Sequence, residues 1–277
     1  MNNIESKDYI EPNCCFDAGM ENLPDGRATG RTVPVPQIIA RLDGLFDRGL
    51  EADAKSFLNT WRCCARAMGD WRGELSLLSE LMGLHRRTGD KKSAMQAVDD
   101  GMELIKTHAL CSTVSGATIM LNAATTMKAF GRAGDSLPVF QQVCRVYGEK
   151  LDPLDYRFGG LYNNMALSYA DLGDTAAAEK YFQRAMAVIR TCQNPENELA
   201  VTECNMAHMY DRADGEDERI GQCMERAWAY LDSPHLPRDG YYAFTASKCA
   251  PAFDYFGYFI YAGQLKERAE KIYAGNR

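Results

Sequence analysis

Asparagine stands at positions 122, 164 and 205, once in each of three consecutive stretches of similar pattern. A carboxamide offers one acceptor oxygen and an NH2 group with two donors. That set complements both halves of a peptide unit, so a row of such amides can hold an extended backbone without reading its side chains. The same group can instead tie neighbouring helices together and set their stacking angle, because buried amides are satisfied by something. Residue types and spacing leave both roles open.

The stripe continues three and seven residues beyond each amide. It brings in Thr125, Leu167 and His208, then Ala129, Asp171 and Arg212, with Gly83 and Arg87 one repeat earlier. Arg87 and Arg212 are candidates for an acidic group or a terminal carboxylate, which guanidinium binds in fork geometry. A solvated wall is the plainer alternative for each of these residues.

Catalytic chemistry has little to stand on. The histidines are His85, His108, His208 and His235, and His85 falls at a packing position. G-x-S-x-G, H-E-x-x-H, a phosphate loop and a dinucleotide fingerprint are all missing. The expectation is no enzyme, no catalytic residue, no metal and no cofactor. The 10 cysteines include the adjacent pairs Cys14–Cys15 and Cys63–Cys64 but no C-x-x-C and no Cys/His zinc spacing. They read as reduced thiols that pack as small apolar groups.

The elements that must position the amides are helices in pairs. Gly89, Gly131, Gly173 and Gly215 recur at intervals of 42 residues, each between two helical patterns. A glycine there suits the left-handed end of a helix. Asp90 and Asp174, directly after it, can cap the helix that follows. Small residues recur before the glycine (Ala124, Ala166, Ala207) and larger ones after it (Val98, Phe140, Phe182, Met224). Small residues at fixed places let helices approach, and larger ones fill the gaps. Asp152-Pro153 predicts a helix from Pro153 to Leu172, and a second follows from Thr175 to about Arg190. Because residues two apart on a helix point about 200° apart, Asn164 faces away from the partner helix that Ala166 touches. First helices of such stacks line the concave surface, which is where Asn164 is expected.

Tyr162, Met165, Ala166, Tyr169, Gly173, Ala178, Phe182 and Ala185 fill the motif W-x2-L-G-x2-Y…A-x3-F-x2-A in order. The chain thus resembles a tetratricopeptide repeat (TPR) array, with a 42-residue period in place of the usual ~34. That long form is similar to the repeats of kinesin light chains, of peptide-sensing regulators and of many bacterial proteins. The resemblance implies an all-α, right-handed, antiparallel helix-pair solenoid of about six repeats. It also implies that Asn122, Asn164 and Asn205 grip the backbone of a bound peptide. Leu42, Leu45, Gly49, Ala54, Leu58 and Trp61 extend the pattern upstream, and Gly263 is its expected downstream turn. Pro251 should kink or split the last long helix.

Two domains follow. Residues 37–277 form the repeat domain. Residues 1–36, rich in Pro and Gly, form an irregular leader that is either loose or folded back onto the array through Ile10, Cys14, Cys15 and Phe16. In the last repeat, Tyr241, Phe244, Phe253, Phe256 and Phe259 are expected in the core. Tyr255 and Tyr258 are left over for a groove end or a homodimer contact.

The net charge of −7 and the lack of a basic cluster argue against nucleic acid as a partner. No run of about 18–20 apolar residues suggests a membrane span, and no signal peptide is seen. A cytoplasmic location is the expectation. The function expected is a non-catalytic scaffold holding a protein or peptide segment. The alternatives are a peptide-sensing regulator that acts through a partner and a scaffold that self-assembles through its aromatic C-terminus.

Overall fold

The computed structural model describes residues 32–275 apart from 47, 214, 216 and 217. The expected leader lies mostly outside these residues, as do Cys14 and Cys15. Among the described residues the secondary structure is helical, in 12 α-helices and one short 3-10 turn, Leu110–Ser112.

The chain divides into two compact units at the Leu151–Asp152 junction. The first holds α1 (Val35–Phe46), α2 (Glu51–Met68), α3 (Trp71–Thr88), α4 (Lys91–Thr107), α5 (Val114–Ala129) and α6 (Ala133–Lys150). The second holds α7 (Arg157–Asp171), α8 (Thr175–Ile189), α9 (Glu196–Ala213), α10 (Arg219–Leu231), α11 (Gly240–Tyr255) and α12 (Phe259–Gly275). Odd helices pack on the even helices that follow them, giving six pairs. The expected helix-pair architecture is therefore observed.

The turns show how the sequence sets the pairs. Gly89, Gly131 and Gly173 have φ of +70°, +79° and +81°, the left-handed region that costs glycine little. The Asp90 carboxylate accepts from Ser93 N at 3.1 Å, and that of Asp174 from Ala177 N at 3.0 Å. Asp70 repeats the device at the start of α3, accepting from Gly73 N at 3.0 Å.

Some turns differ from expectation. Gly215 lacks the positive φ, and the turn glycine of the last pair is Gly257, at +84°, not Gly263, which lies inside α12. Gly257 keeps the 42-residue interval from Gly215, so the period runs on unchanged. Helix α7 begins at Arg157, not Pro153. Asp152 accepts from Leu154 N at 2.8 Å, and Asp155 from Arg157 N at 3.0 Å. These short-range bonds hold the segment as turns. Pro251 lies inside α11, near its C-terminal end, without splitting it.

Even helices show one apolar stripe. In α8 it is Ala178, Phe182, Ala185, Met186 and Ile189; in α10 it is Cys223, Met224, Ala227 and Leu231. The odd helices α3, α5, α7 and α9 are buried nearly all round. Every residue from Ser115 to Lys128 in α5, and from Leu199 to Tyr210 in α9, is buried. Helix α9 touches α7, α8, α10 and α11, which explains its enclosure.

The C-terminal aromatics follow expectation at Phe253 and Tyr255 and depart from it at Phe259, expected in the core, and at Tyr242. Tyr242 and Phe253 are fully buried, whereas Phe259 is 68% and Tyr255 50% exposed. Phe259 opens α12 just after the Gly257 turn, on the outside of the pair. The eight described cysteines are free thiols.

Candidate binding site

The three amides sit on the odd helices, one in the first unit and two in the second. All are buried: Asn122 is 4% exposed, Asn164 and Asn205 are 0%. Each helix pair shields one side of the odd helix, and a neighbouring pair of the same unit covers the face that the sequence left open. Asn122 Nδ2 donates to Ser79 Oγ on α3 at 2.8 Å. Asn164 Nδ2 donates to the Gly160 carbonyl of its own helix at 3.0 Å.

The Asn122 bond belongs to a series linking successive odd helices. Arg86 Nη1 donates to Thr126 Oγ1 at 2.7 Å and to the Asn122 carbonyl at 3.4 Å. In the second unit Arg212 Nη1 donates to Asp171 Oδ1 at 2.9 Å. Tyr255 donates its hydroxyl to Asp211 at 3.0 Å, and Tyr241 donates to Glu198. These bonds span 36 to 44 residues, about one repeat. Ser79, Arg86, Thr126, Glu198 and Asp211 were not singled out from the sequence. Searching for polar pairs one period apart is the signal that finds them.

The remaining candidates are placed as follows. Thr125 is fully buried and donates to the Leu121 carbonyl at 2.8 Å. Leu167 is fully buried in the core. His208, 5% exposed, has its ring 5.5 Å from that of Tyr255 and 5.0 Å from that of Phe256. Arg87 is exposed, and its guanidinium lies 4.3 Å from the centre of the Phe46 ring. Arg212 is exposed but engaged by Asp171. Of the nine candidates, only these two arginines are exposed.

Polar side chains within the odd helices are numerous. In α9 the buried ones are Asn197, Thr202, Glu203, Asn205 and His208. Glu203 is fully buried and accepts from Arg226 Nε at 2.7 Å and Nη2 at 2.8 Å. That carboxylate raises the already high guanidinium pKa of Arg226. The neighbouring Cys249 thiol, together with burial, holds the Cys204 thiol protonated well above its ordinary range. Burial does the same for Cys223. No group of three or more His, Cys, Asp or Glu suited to a metal ion occurs among the described residues. None of the described helices is long and apolar enough to cross a membrane.

A family model described as tetratricopeptide repeat matches residues 158–227, from the first turn of α7 into α10. Similar solved structures include a Podosopora anserina protein described as a kinesin light chain with nearly identical TPR-like repeats. It is 16% identical, with 72% of this chain and 94% of that chain covered and a TM-score of 0.48. A variant of it gives 16%, 71%, 93% and 0.50. BtubC (BKLC) from P. vanneervenii is 16% identical, with 88% and 92% covered and a TM-score of 0.48. At such identity the likeness is one of fold, and the variant's score is the one that supports it. The comparison with curated proteins finds no match.

Proposed function

We propose that this stack of tetratricopeptide-type helix pairs is a non-catalytic scaffold that holds a segment of another protein. TPR-like folds are typically interaction scaffolds, and the match over residues 158–227 covers the two pairs richest in buried amides. The observation that carries the proposal is the concentration of polar side chains in the buried odd helices. Burying a polar group without full compensation is costly, and a stack needing only stability would use apolar residues there. A row of amides and hydroxyls suits a peptide backbone, and Asn164 and Asn205 of the second unit are its proposed clamp, while Asn122 of the first unit already donates to Ser79. Arg212, exposed on the same helix as Asn205, suits an acidic group there, and Arg87 does so in the first unit.

A second reading has its own observation. Tyr255, Phe259 and Ile260 are 50%, 68% and 75% exposed around the Gly257 turn. At the places of Phe259 and Ile260 the earlier pairs carry Lys91 and Lys92, Ala133 and Gly134, Thr175 and Ala176. Large exposed apolar residues at a site that is otherwise polar or small favour a contact there, such as a homodimer.

One experiment separates the two. The full chain serves as bait for affinity capture beside a double Asn164→Ala, Asn205→Ala variant and a double Phe259→Ser, Ile260→Ser variant. Each variant is first checked by circular dichroism. A partner lost only with the amides supports the first reading. Self-association lost only with the apolar pair supports the second. Capture unaffected by either change counts against both.

A further inference from the structure

The seams between successive odd helices are not equivalent. In the first unit Ser79 stands ten residues before its turn glycine, and Asn122 of the next odd helix donates to its hydroxyl at 2.8 Å. Only Oδ1 of Asn122 is left without a partner. In the second unit Asn163 stands ten residues before Gly173. The register from α7 to α9 is one residue shorter, as Tyr169 and Tyr210 show, so Asn205 is the counterpart of Asn122. The corresponding bond is not made. Asn163 is 0% exposed, and neither its Oδ1 nor its Nδ2 has a hydrogen-bond partner.

This is a strained place in the packing. A buried polar atom without a partner forfeits its hydration and gains nothing in return. Both atoms of one carboxamide do so here, and Asn197 Oδ1 on the first turn of α9 is a third. The register that turns Ser79 toward α5 turns Asn163 toward α9, so parting α7 from α9 would restore partners to both atoms of its carboxamide. Asn163 then offers an acceptor and a donor side by side, which is what one peptide unit requires from a partner: its N–H donates to Oδ1 and its carbonyl accepts from Nδ2. Leu167, one turn along α7, and Val201 on α9 are both buried and apolar. They would flank that peptide unit with apolar surface.

We propose that the α7–α9 seam is a closed binding site that opens to admit an extended, locally apolar peptide segment, with Asn163 as the anchor for its backbone. The α3–α5 seam, sealed by Asn122 with Ser79 and by Arg86 with Thr126, stays shut. Binding is thereby confined to the second unit, and Asn122 acts as a seal in the first. The proposal rests on the scaffold reading above and narrows it to one seam.

The test compares wild type with Asn163→Leu, Asn163→Ala and Asn122→Leu. Each is panned as full-length protein against a displayed library of random peptides of about 12 residues, long enough to span two helices in extended form. Thermal melting and hydrogen exchange are recorded on the free proteins. Asn163→Leu should melt a few degrees higher, slow exchange in α7 and α9, and capture peptides at least about tenfold more weakly. Asn163→Ala, which cannot overpack the seam, should lose capture to the same extent. Asn122→Leu should melt lower and keep capture within about twofold of wild type. Capture by both Asn163 variants at the wild-type level overturns the proposal and leaves the scaffold reading standing. A lower melting point for Asn163→Leu with slowed exchange absent also overturns it. If wild type enriches no peptide, the proposal and the peptide-scaffold reading fall together.

Discussion

Arg226 of α10 closes on Glu203 of α9 with two hydrogen bonds, 2.7 and 2.8 Å long, and the carboxylate it grips is sealed from solvent while the arginine side chain is 46% exposed. The pair joins the two helices of one repeat from the solvent side. Removing the arginine strands a buried charge, whereas the carboxylate alone could never have been buried there. Arg226→Ala is expected to destabilise the fold by roughly 3 kcal/mol, the low end for breaking a buried pair because water reaches the arginine side. Urea unfolding checks this, with a lower midpoint at unchanged slope. Replacing both residues by Met and Leu together should recover most of the loss.

The turn glycines divide into two classes. Gly173 has φ of +81°, and a Cβ there would meet nothing within 4 Å, so the cost of a side chain is purely one of backbone conformation. Gly173→Ala should cost about 1–2 kcal/mol. Gly215 carries no positive φ, and Gly215→Ala should stay within about 0.5 kcal/mol of wild type. Paired chemical denaturation of the two variants decides the matter.

His85 gives the first unit a pH dependence with a defined sign. The residue is 3% exposed, and burial is the main cause that lowers its pKa from 6.5; Asp90 opposes the shift and Lys55 adds to it. The unfolded chain therefore binds the proton more readily, so stability falls as pH drops through and below 6.5. Asp90, which Lys55 meets at 2.5 Å, has its pKa lowered below 3.8, chiefly by that bond. Its stabilising contribution is present above 3.8 and is lost only in stronger acid. The interval between the two values isolates the histidine. His85→Tyr, which places there the residue that Tyr169 supplies in α7, should flatten the melting temperature between about pH 5 and 7. An unchanged slope would assign the dependence elsewhere.

Thiol labelling should follow burial. Cys204, Cys223 and Cys249 are fully buried, and Cys63 is exposed. Raised pKa values hold Cys204 and Cys223 as unreactive thiols at neutral pH. Mass-mapped alkylation of the native protein should modify Cys63 within minutes and these three only on unfolding. Early labelling of Cys204 would show that α9 opens toward α11.

The repeat was legible because it rests on local chemistry. A glycine that ends one helix and an aspartate that starts the next mark a turn without any knowledge of what packs on it. Misplacing the last turn at Gly263 had a local cause as well: the segment from Phe256 to Ile260 is too apolar to look like a turn. The false start of α7 came from Asp152, whose carboxylate serves a tight turn as readily as a helix cap. Burial of the amides was harder to see. Helical geometry tells which way Asn164 points relative to its own pair. The distance to the following pair depends on the stack, and that distance decides between an exposed wall and a sealed seam. The unmatched Asn163 lay beyond reach for the same reason, since it follows from a bond that one pair of seams makes and its counterpart does not.

The hydrogen bonds joining successive odd helices reach from 36 to 44 residues along the chain. During synthesis each joint needs only the following helix pair to have left the ribosome. Within each unit the pairs can therefore assemble in order of translation, each new pair docking on a finished one and covering its apolar edge before the next is made. A stalled or shortened chain would end in a complete pair with one bare face, not in a collapsed intermediate.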